Sequence, residues 1–372
     1  MSPGRLQGLT IGITADRRAD EQARMFEQRG ARVLHGPVLR TAPVDDQQGA
    51  RMAMAALLRD PPDVLVANTA LGIRTWLSLA DGWGVTDDLV TVLSQGYVTA
   101  RGPKAAGALL TIGVAVDWQA PSAVLDELVD HLLERGVSGR RIALQVDGGQ
   151  TPAAVARLRA AGAEVVEIAT YRWTLPKDRG PALRLVDAAC NGGVDALTFT
   201  AAPAVHNLFA LADEAGAGDE LRAALDGPVL TMCVGPVCRR AALDRGVASA
   251  REPTMARLGG MVKSLADELD ARRRSVHVDG LAAMVQGALV SVGDAEVTLA
   301  ARERALFEVL SRRPGAVVAR RTLLAEVWGT PNADAHALEV TIGRLRRRLS
   351  PTGLGVEAVS RRGYRLRAVG GE

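Results

Sequence analysis

Short apolar runs alternate with amphipathic stretches throughout the sequence up to about residue 270, and this alternation constrains the fold more than any other feature. The first example is the apolar run Leu9–Asp16 (LTIGITAD), followed by a helical stretch that ends at Gly30 and a second apolar run, ARVLHGPVL. Strands alternating with helices that end on glycine are typical of α/β folds with largely parallel sheets. The sequence therefore predicts an α/β fold, and its length allows two such sheets.

Two segments of this region look like versions of one unit. They are Asp63–Ile73 (DVLVANTALGI) and Asp195–Val205 (DALTFTAAPAV). Each begins with an acidic residue and an apolar strand-like run, and each continues through a polar turn into a helical stretch. Beyond this similarity the sequence shows no clean short-period repeat.

Composition excludes several classes of protein. Hydrophobic residues make up 48% and charged residues 23% of the chain, as in a well-packed globular protein. No apolar run reaches the ~18–20 residues that span a bilayer, and the N-terminus lacks the order of a signal peptide. We expect a cytoplasmic protein without a membrane partner. The pair Cys233 and Cys238 has no histidine or second cysteine pair nearby, and Cys190 stands apart, which favours buried small residues over a metal site.

The composition changes after a helix that ends near residue 268. The charged segment 269–275 is predicted to be a linker, and residues 276–369 to form short strands, three helices and a final hairpin. On the third helix an apolar stripe recurs at helical spacing: Leu338, Ile342, Leu345 and Leu349. The opposite face carries His336, Val340, Gly343, Arg344 and Arg347, with Arg348 on the flank. Such a helix has the geometry of a DNA-recognition helix, although a solvated basic helix has the same pattern.

The region from Val297 onwards resembles the winged-helix DNA-binding domain of OmpR/PhoB-type regulators. The resemblance is carried by Leu299 with Glu303, by the PG-x-VV turn, by LL-x-x-VW, by RLRR-x-L and by the RGYRL wing. Ala300 and Ala301 depart from it, because the family usually has Ser, Thr or Pro there. The resemblance implies double-stranded DNA as a partner. The predicted DNA-binding residues are His336, Val340, Arg344, Arg347, Arg348, Arg361, Arg362 and Tyr364.

Most regulators of this type carry a phosphoacceptor receiver domain, and the sequence argues against one here. A receiver needs an aspartate after its third strand, where this chain has Asn68, and Asp45 and Asp46 are interpreted as loop acids. Residues 8–268 resemble uroporphyrinogen-III synthase instead. The matching segments are ITADRR, DVLVANTALGIRTWL, ARGPKAAGAL, AGAEVVEIATYRW, DALTFTAAPAV and CVGPVCRRAALDRGV.

This second resemblance implies two α/β lobes that face each other across a cleft. The first lobe would comprise residues 8–38 and 172–268, and the second residues 39–171. The family enzyme cyclises hydroxymethylbilane, a linear tetrapyrrole, without metal or cofactor, and holds its carboxylates through backbone N–H groups and small hydroxyls. The ligand-cleft candidates are Thr69, Gly102, Lys104, Asp147, Gly148, Thr200 and Gly235.

The chain departs from the family where hydroxyls are expected. Family members usually have Thr-Ser where this chain has Thr69-Ala70 and Thr200-Ala201, and GP-x-T-A where it has Ala105 and Cys238. Each lost hydrogen bond to a charged group is worth ~1.5–3 kcal/mol. Tyr171 matches a tyrosine proposed for proton transfer in the family, but packing between the lobes is the favoured interpretation of this residue.

Three hypotheses follow. The first is a transcription regulator that senses a tetrapyrrole-like or other small acidic ligand. The fusion of the two domains resembles actinobacterial regulators of nitrate and nitrite assimilation. That pathway needs sirohaem, so the resemblance implies a tetrapyrrole-related signal. The second is an active uroporphyrinogen-III synthase with a DNA-binding tail. The third is an inactive scaffold that binds another transcription regulator. The missing hydroxyls favour the first and third hypotheses.

Overall fold

The computed structural model describes residues 4–44, 47–146 and 152–369. The chain forms two compact units. Unit 1 comprises Met1–Leu39 and Leu175–Glu372, and unit 2 comprises Arg40–Thr174. Within the described ranges, no helix is both long enough and apolar enough to cross a bilayer.

The chain up to Thr174 contains, in order, β1 (Thr10–Ile13), α1 (Ala19–Glu27), β2 (Arg32–His35), β3 (Arg40–Pro43), α2 (Gln47–Arg59), β4 (Val64–Ala67), α3 (Ala70–Gly82), α4 (Thr86–Leu93), β5 (Tyr97–Ala100), α5 (Pro103–Leu110), β6 (Trp118–Gln119), α6 (Leu125–Arg135), β7 (Arg141–Val146), α7 (Pro152–Ala160), β8 (Glu164–Ala169) and β9 (Tyr171–Thr174).

The remainder contains α8 (Gly180–Cys190), β10 (Ala196–Phe199), α9 (Ala202–Glu214), α10 (Gly218–Asp226), β11 (Leu230–Cys233), α11 (Pro236–Asp244), α12 (Leu258–Ala271), β12 (Arg274–Val278), β13 (Leu281–Gln286), β14 (Leu289–Val292), β15 (Ala295–Thr298), α13 (Ala301–Ser311), α14 (Arg320–Trp328), α15 (Ala335–Leu349), a short 3₁₀ turn (Ser350–Thr352), β16 (Leu354–Val359) and β17 (Gly363–Ala368).

Unit 2 is built on a five-stranded parallel sheet in the order β6-β5-β4-β7-β8. The central strand β4 is buried at all four positions, since helices α2 to α5 cover one face of the sheet and α6 and α7 the other. Parallel strands covered on both faces are apolar at successive positions, which is why these runs do not alternate in the sequence. An antiparallel pair, β3 and β9, joins the beginning and the end of the unit.

Unit 1 begins with a four-stranded parallel sheet in the order β11-β10-β1-β2, and α1 and α12 pack on one of its faces. Its strands come from both ends of the unit's discontinuous chain, because β1 and β2 precede unit 2 and β10 and β11 follow it. The predicted α/β class with parallel sheets and a discontinuous first lobe is confirmed.

The C-terminal part of unit 1, from β12 onwards, is a winged-helix domain with its own core. An antiparallel sheet in the order β12-β13-β14-β15 packs with helices α13 to α15 and the β16–β17 hairpin around one hydrophobic cluster. The predicted apolar stripe of α15 lies in that cluster: Leu338, Ile342, Leu345 and Leu349 are each at most 1% exposed. One stripe therefore anchors α15 and leaves its opposite face outside the core.

The charged segment 269–275, predicted to be a linker, is mostly structured. Helix α12 continues to Ala271 and strand β12 begins at Arg274. Between them, the Arg273 guanidinium donates to Gln286 Oε1 at 2.8 Å, and the Arg272 guanidinium to the Pro228 carbonyl at 3.2 Å. These arginines bind neighbouring elements, so the helix passes into the strand through a tight turn.

Helix α13 offers a test of local stability, because its N-cap is Ala300 and no side-chain hydrogen bond caps it. Glu303 Oε2 accepts the Ala300 N–H at 2.9 Å, which is half of a capping box. We expect Ala300→Ser to complete the box and raise the free energy of unfolding of this domain by about 1 kcal/mol, measured by urea denaturation. Ala301→Ser, one residue inside the helix, is the matched control and should bring no gain. Equal effects of the two changes would contradict the capping argument.

Candidate functional site

In each parallel sheet the strand order reverses at one position. In unit 2 the chain runs from β4 outwards to β5 and β6, then returns to β7 on the other side of β4. In unit 1 the corresponding neighbours are β1 and β10. Ligands of open parallel sheets bind outside the carboxyl ends of the strands at such switch points. Among the described residues, the turns that follow β4, β1 and β10 are therefore the candidate ligand turns of the two units.

At the unit 2 switch point, Thr69 is held by the protein itself. Its hydroxyl accepts the Gly72 N–H at 3.0 Å and lies 3.2 Å from both Gln145 Oε1 and Tyr171 Oη. The Thr69 N–H also donates to Gln145 Oε1, at 2.8 Å. A threonine hydroxyl has one donor and two acceptor positions, so these contacts account for its capacity. Thr69 caps helix α3 and orders the turn.

Gln145 was not among the residues singled out from the sequence. It is fully buried in β7, and its only signal is a polar side chain inside the apolar run Ile142–Val146 (IALQV). Arg101 was also missed; its guanidinium donates to Oδ1 of the buried Asn68 at 2.8 Å. Two further candidates, Asp147 and Gly148, lie outside the described residues.

Gly102 and Gly235 occupy equivalent positions in the two units. Each is the N-cap of a helix, α5 or α11, that starts with proline. Both have extended backbones, so glycine is not required by a positive φ. A Cβ on Gly102 would lie 2.8 Å from Ala123 Cβ, and one on Gly235 would lie 2.9 Å from Ala256 Cβ. The glycines therefore allow a neighbouring loop to approach the helix N-terminus.

Thr69 and Thr200, which similarity to the family pairs, are not equivalent in the structure. Thr69 is the N-cap of α3, whereas the N-cap of α9 is Ala201 and Thr200 precedes it, half-buried. The capping hydroxyl of unit 2 thus has no counterpart in unit 1. At the other substituted positions, Ala105 and Cys238 are at most 3% exposed.

Tyr171 lies at the start of β9 and is 2% exposed. Its hydroxyl is 3.2 Å from Thr69 Oγ1, and its ring meets that of Trp173 edge to face, with centroids 5.2 Å apart. These contacts give the phenol a packing role within unit 2. Its predicted catalytic role is not tested by them and stays a prediction.

The two cysteines of CVGPVC form a buried pair at the end of β11 and the start of α11. A hydrogen bond with Cys233, together with burial, raises the pKa of Cys238 well above its usual value. A protonated, buried thiol is a poor nucleophile and metal ligand. Among the described residues no group of His, Cys, Asp and Glu side chains could hold a metal ion.

The second candidate surface is the exposed face of α15. Asp334 caps this helix by accepting the His336 N–H at 2.9 Å. His336, Val340, Arg344 and Arg347 are all exposed on the face opposite the buried stripe. Within the part of the chain that the structure describes, the Arg344 and Arg347 guanidinium groups make no ion pair or hydrogen bond. They are therefore available to an anionic partner.

The other arginines of α15 have partners in their own domain. Arg346 Nε donates to the Val356 carbonyl at 2.5 Å, and Arg348 Nε lies 3.6 Å from Glu303 Oε2. Arg348, predicted to contact DNA, remains half-exposed while it makes this pair. The charge available on α15 is thus concentrated at Arg344 and Arg347.

The hairpin of β16 and β17 carries two exposed arginines, Arg361 and Arg362, at its turn, and Arg361 has a left-handed φ of 56°. Farther along the hairpin, Arg365 and Arg367 both bind Glu357, at 2.9 and 2.8 Å. These two guanidinium groups lower the pKa of Glu357. The free positive charge of the wing is therefore at its tip.

Tyr364 does not belong to this surface. It was predicted to contact DNA, but its side chain is 4% exposed and lies in the core of the winged-helix domain. The reason is the pairing of β17: the Tyr364 backbone bridges Val318 through hydrogen bonds of 2.8 and 3.0 Å, and this pairing turns the ring inwards. The guanidinium of Arg320 covers the ring at 5.5 Å.

Comparisons with known proteins match both domains of the chain. The family model described as uroporphyrinogen-III synthase HemD matches residues 20–263, and the model described as transcriptional regulatory protein, C terminal, matches residues 294–366. A mutant uroporphyrinogen III synthase from Thermus thermophilus superposes with a TM-score of 0.59 at 28% identity, covering 71% of this chain and 99% of that one.

Two curated relatives match different parts of the chain. The uncharacterized protein YjjA of Bacillus subtilis is 25% identical over 261 residues, which are 70% of this chain and 96% of that protein. The transcriptional regulatory protein KdpE of Mycobacterium tuberculosis is 33% identical over 96 residues, 26% of this chain and 42% of that protein. The chain belongs to the uroporphyrinogen-III synthase HemD family, and it joins that domain to a C-terminal DNA-binding domain of the OmpR/PhoB type.

Proposed function

We propose that the protein is a DNA-binding transcription regulator whose output is the winged-helix domain. The observation that carries this proposal is the exposed face of α15, where Arg344 and Arg347 have no partner among the described residues. Guanidinium groups bind phosphates and guanine edges, and a helix anchored by its opposite face can enter a major groove. Arg361 and Arg362 at the wing tip would contact the adjacent backbone.

Replacing the two free arginines tests this output. We expect Arg344→Ala with Arg347→Ala to weaken binding of the full chain to duplex DNA from its own upstream region by roughly tenfold or more, and to reduce the salt slope by about 2, since each lost phosphate contact removes about one counterion. Fluorescence anisotropy at several salt concentrations measures both quantities.

The matched control removes two exposed arginines from first-lobe helices, Arg24→Ala with Arg240→Ala. It changes net charge by the same amount and should leave the affinity and the salt slope close to wild type. If the two double variants lose affinity equally, the effect is one of overall charge, and α15 is not the DNA-facing element.

We further propose that the HemD-family domain binds a small acidic or tetrapyrrole-like ligand without cyclising it. Helix N-termini without a side-chain cap follow strands in both units, which supports anion binding. The hydroxyls that would hold a substrate in place are absent or engaged: Ala201 has none, and Thr69 is used within the protein. Loss of several such contacts weakens a productive complex by several kcal/mol.

An active synthase is the alternative, favoured by the family match and by the presence of Tyr171. We expect the full chain to show no turnover of hydroxymethylbilane, because the side-chain contacts that hold the substrate for ring closure are missing. The Thermus thermophilus enzyme assayed in parallel is the positive control. Turnover at a comparable rate, abolished by Tyr171→Phe, would establish the enzyme and overturn the sensing proposal.

Lys104 provides a test of ligand binding in unit 2, since it is exposed on the first turn of α5 beside Gly102. We expect uroporphyrinogen III to raise the melting temperature of the full chain, and Lys104→Ala to weaken that ligand's apparent affinity by roughly tenfold through loss of a charge-assisted contact. The control is Lys263→Ala, an exposed lysine paired with Asp267 on α12. No thermal shift at any ligand concentration would exclude this ligand class.

The regulated pathway we propose is nitrate and nitrite assimilation. Its support is the sequence resemblance to regulators of that pathway and the dependence of the pathway on sirohaem, which derives from uroporphyrinogen III. Binding of the protein to promoters of nitrate or nitrite reductase genes in its source organism, measured by chromatin immunoprecipitation, tests it. A second transcription regulator as a partner remains a prediction from the sequence.

A further inference from the structure

Asp63 and Asp195 are the first residues of the two similar sequence segments, and the structure gives them the same backbone role. Each directly precedes the central strand of a switch point, β4 or β10. Each carboxylate accepts a backbone N–H from the neighbouring strand at 2.8 Å, from Arg141 for Asp63 and from Thr10 for Asp195. The two aspartates thus fasten equivalent strand pairs at their amino ends.

The cations that neutralise these carboxylates come from different places. Asp63 binds Arg140 of its own unit at 3.1 Å, and its side chain is 40% exposed. Asp195 is only 6% exposed, and its second oxygen binds Arg304 Nη1 of α13, in the winged-helix domain, at 2.6 Å. A carboxylate exposed to water tolerates loss of its partner, whereas a buried one does not. The first lobe therefore depends on an arginine supplied by the DNA-binding domain.

Arg304 is itself fixed by two acids. Its Nε donates to Glu308 on the same helix at 2.8 Å while Nη1 donates to Asp195. Burial alone would lower the pKa of Arg304, but the charges of Asp195 and Glu308 outweigh it and the pKa is raised. The guanidinium therefore stays charged and ordered in the contact.

Backbone pairing surrounds this ion pair. The Ala288 N–H, in the turn between β13 and β14, donates to the Gly8 carbonyl at 2.8 Å, and Gln286 Nε2 donates to the Arg5 carbonyl at 2.5 Å. A Cβ on Gly8 would lie 2.4 Å from Leu289 Cβ, so these two segments of the chain pack closely against each other. The turn between β13 and β14 thus pairs with the segment that leads into β1.

We propose that the winged-helix domain is held rigidly against the first lobe by the Asp195–Arg304 ion pair, which we call the lock. The exposed, DNA-binding face of α15 then moves with the first lobe as one body. The interface uses α13 and the β13–β14 turn and leaves Arg344 and Arg347 exposed. Docking therefore orients the DNA-binding face without covering it.

The same two strands connect this lock to the switch point of unit 1. The lock is at the amino ends of β1 and β10, and the candidate ligand turns are at their carboxyl ends, roughly 13 Å away at about 3.3 Å per residue. Buried hydrogen bonds tie the strands together between these ends: Thr14 Oγ1 donates to the Thr198 carbonyl at 2.8 Å, and Thr198 Oγ1 to the Gly12 carbonyl at 2.9 Å. A displacement at one end is transmitted to the other, and this coupling rests on the proposed ligand function.

Hydrogen exchange of the full chain tests the lock. We expect Arg304→Gln to accelerate amide exchange in residues 284–292 at least tenfold. The buried carboxylate of Asp195 then lacks its cation, so the contact between the first lobe and the winged-helix domain opens more often. Arg140→Gln removes the equivalent but exposed pair of unit 2 and should leave this segment as in wild type. Equal protection of residues 284–292 in Arg304→Gln and wild type would overturn the lock.

A second variant keeps the test decisive if Arg304→Gln does not fold. Arg304→Lys keeps the charge but offers a single nitrogen in place of Nε and Nη1, which bind Glu308 and Asp195 separately, so exchange of residues 284–292 should rise about threefold; an unchanged rate would overturn the proposal. DNA affinity of the same variants is a separate readout. Because Arg344 and Arg347 are intact, a short single-site duplex should bind as in wild type, and loss of that binding would count against the proposed lock, which leaves α15 uncovered.

Discussion

The organisation of unit 1 depends on the contacts that the buried carboxylate of Asp195 makes. This carboxylate joins β10 to β1 through the Thr10 N–H and joins both strands to α13 through Arg304. Its counterpart Asp63 makes the same backbone bond but is neutralised by a neighbouring, exposed arginine. The same strand-end contact thus holds two strands together in unit 2 and also joins two domains in unit 1. The difference follows from where the cation comes from and how well water is excluded.

The two ends of the parallel sheets have separate tasks. At the carboxyl ends the strand order reverses and helix N-termini begin, the arrangement in which open sheets bind ligands. At the amino ends of β1 and β10 the first lobe binds the winged-helix domain. In unit 1 the same short strands therefore connect the proposed ligand turns to the contact with the winged-helix domain.

The hydroxyls at the strand ends are the basis of the proposal that this domain binds a ligand without turnover. The hydroxyl of Thr69 is occupied by hydrogen bonds with Gly72, Gln145 and Tyr171. The equivalent N-cap position in unit 1 is Ala201, which has no hydroxyl. Backbone N–H groups at helix N-termini survive any side-chain substitution, so anion binding can persist after the side-chain contacts needed to hold a substrate for reaction are lost. Binding without turnover is what separates a sensor from a synthase.

The sequence alone determined the α/β class and the anchoring stripe of α15, because apolar periodicity and turn residues are local properties of the chain. The winged helix was indicated by the resemblance to OmpR/PhoB-type regulators. The sequence also pointed to Arg344 and Arg347, whose exposure follows from that stripe. It misplaced Tyr364, since the inward turn of that ring depends on pairing with the distant Val318. The engagement of Thr69, the inequivalence of Thr69 and Thr200 and the Asp195–Arg304 pair were decided only by the tertiary structure. Each involves residues far apart in the chain, brought together by strand order and burial, which periodicity does not encode.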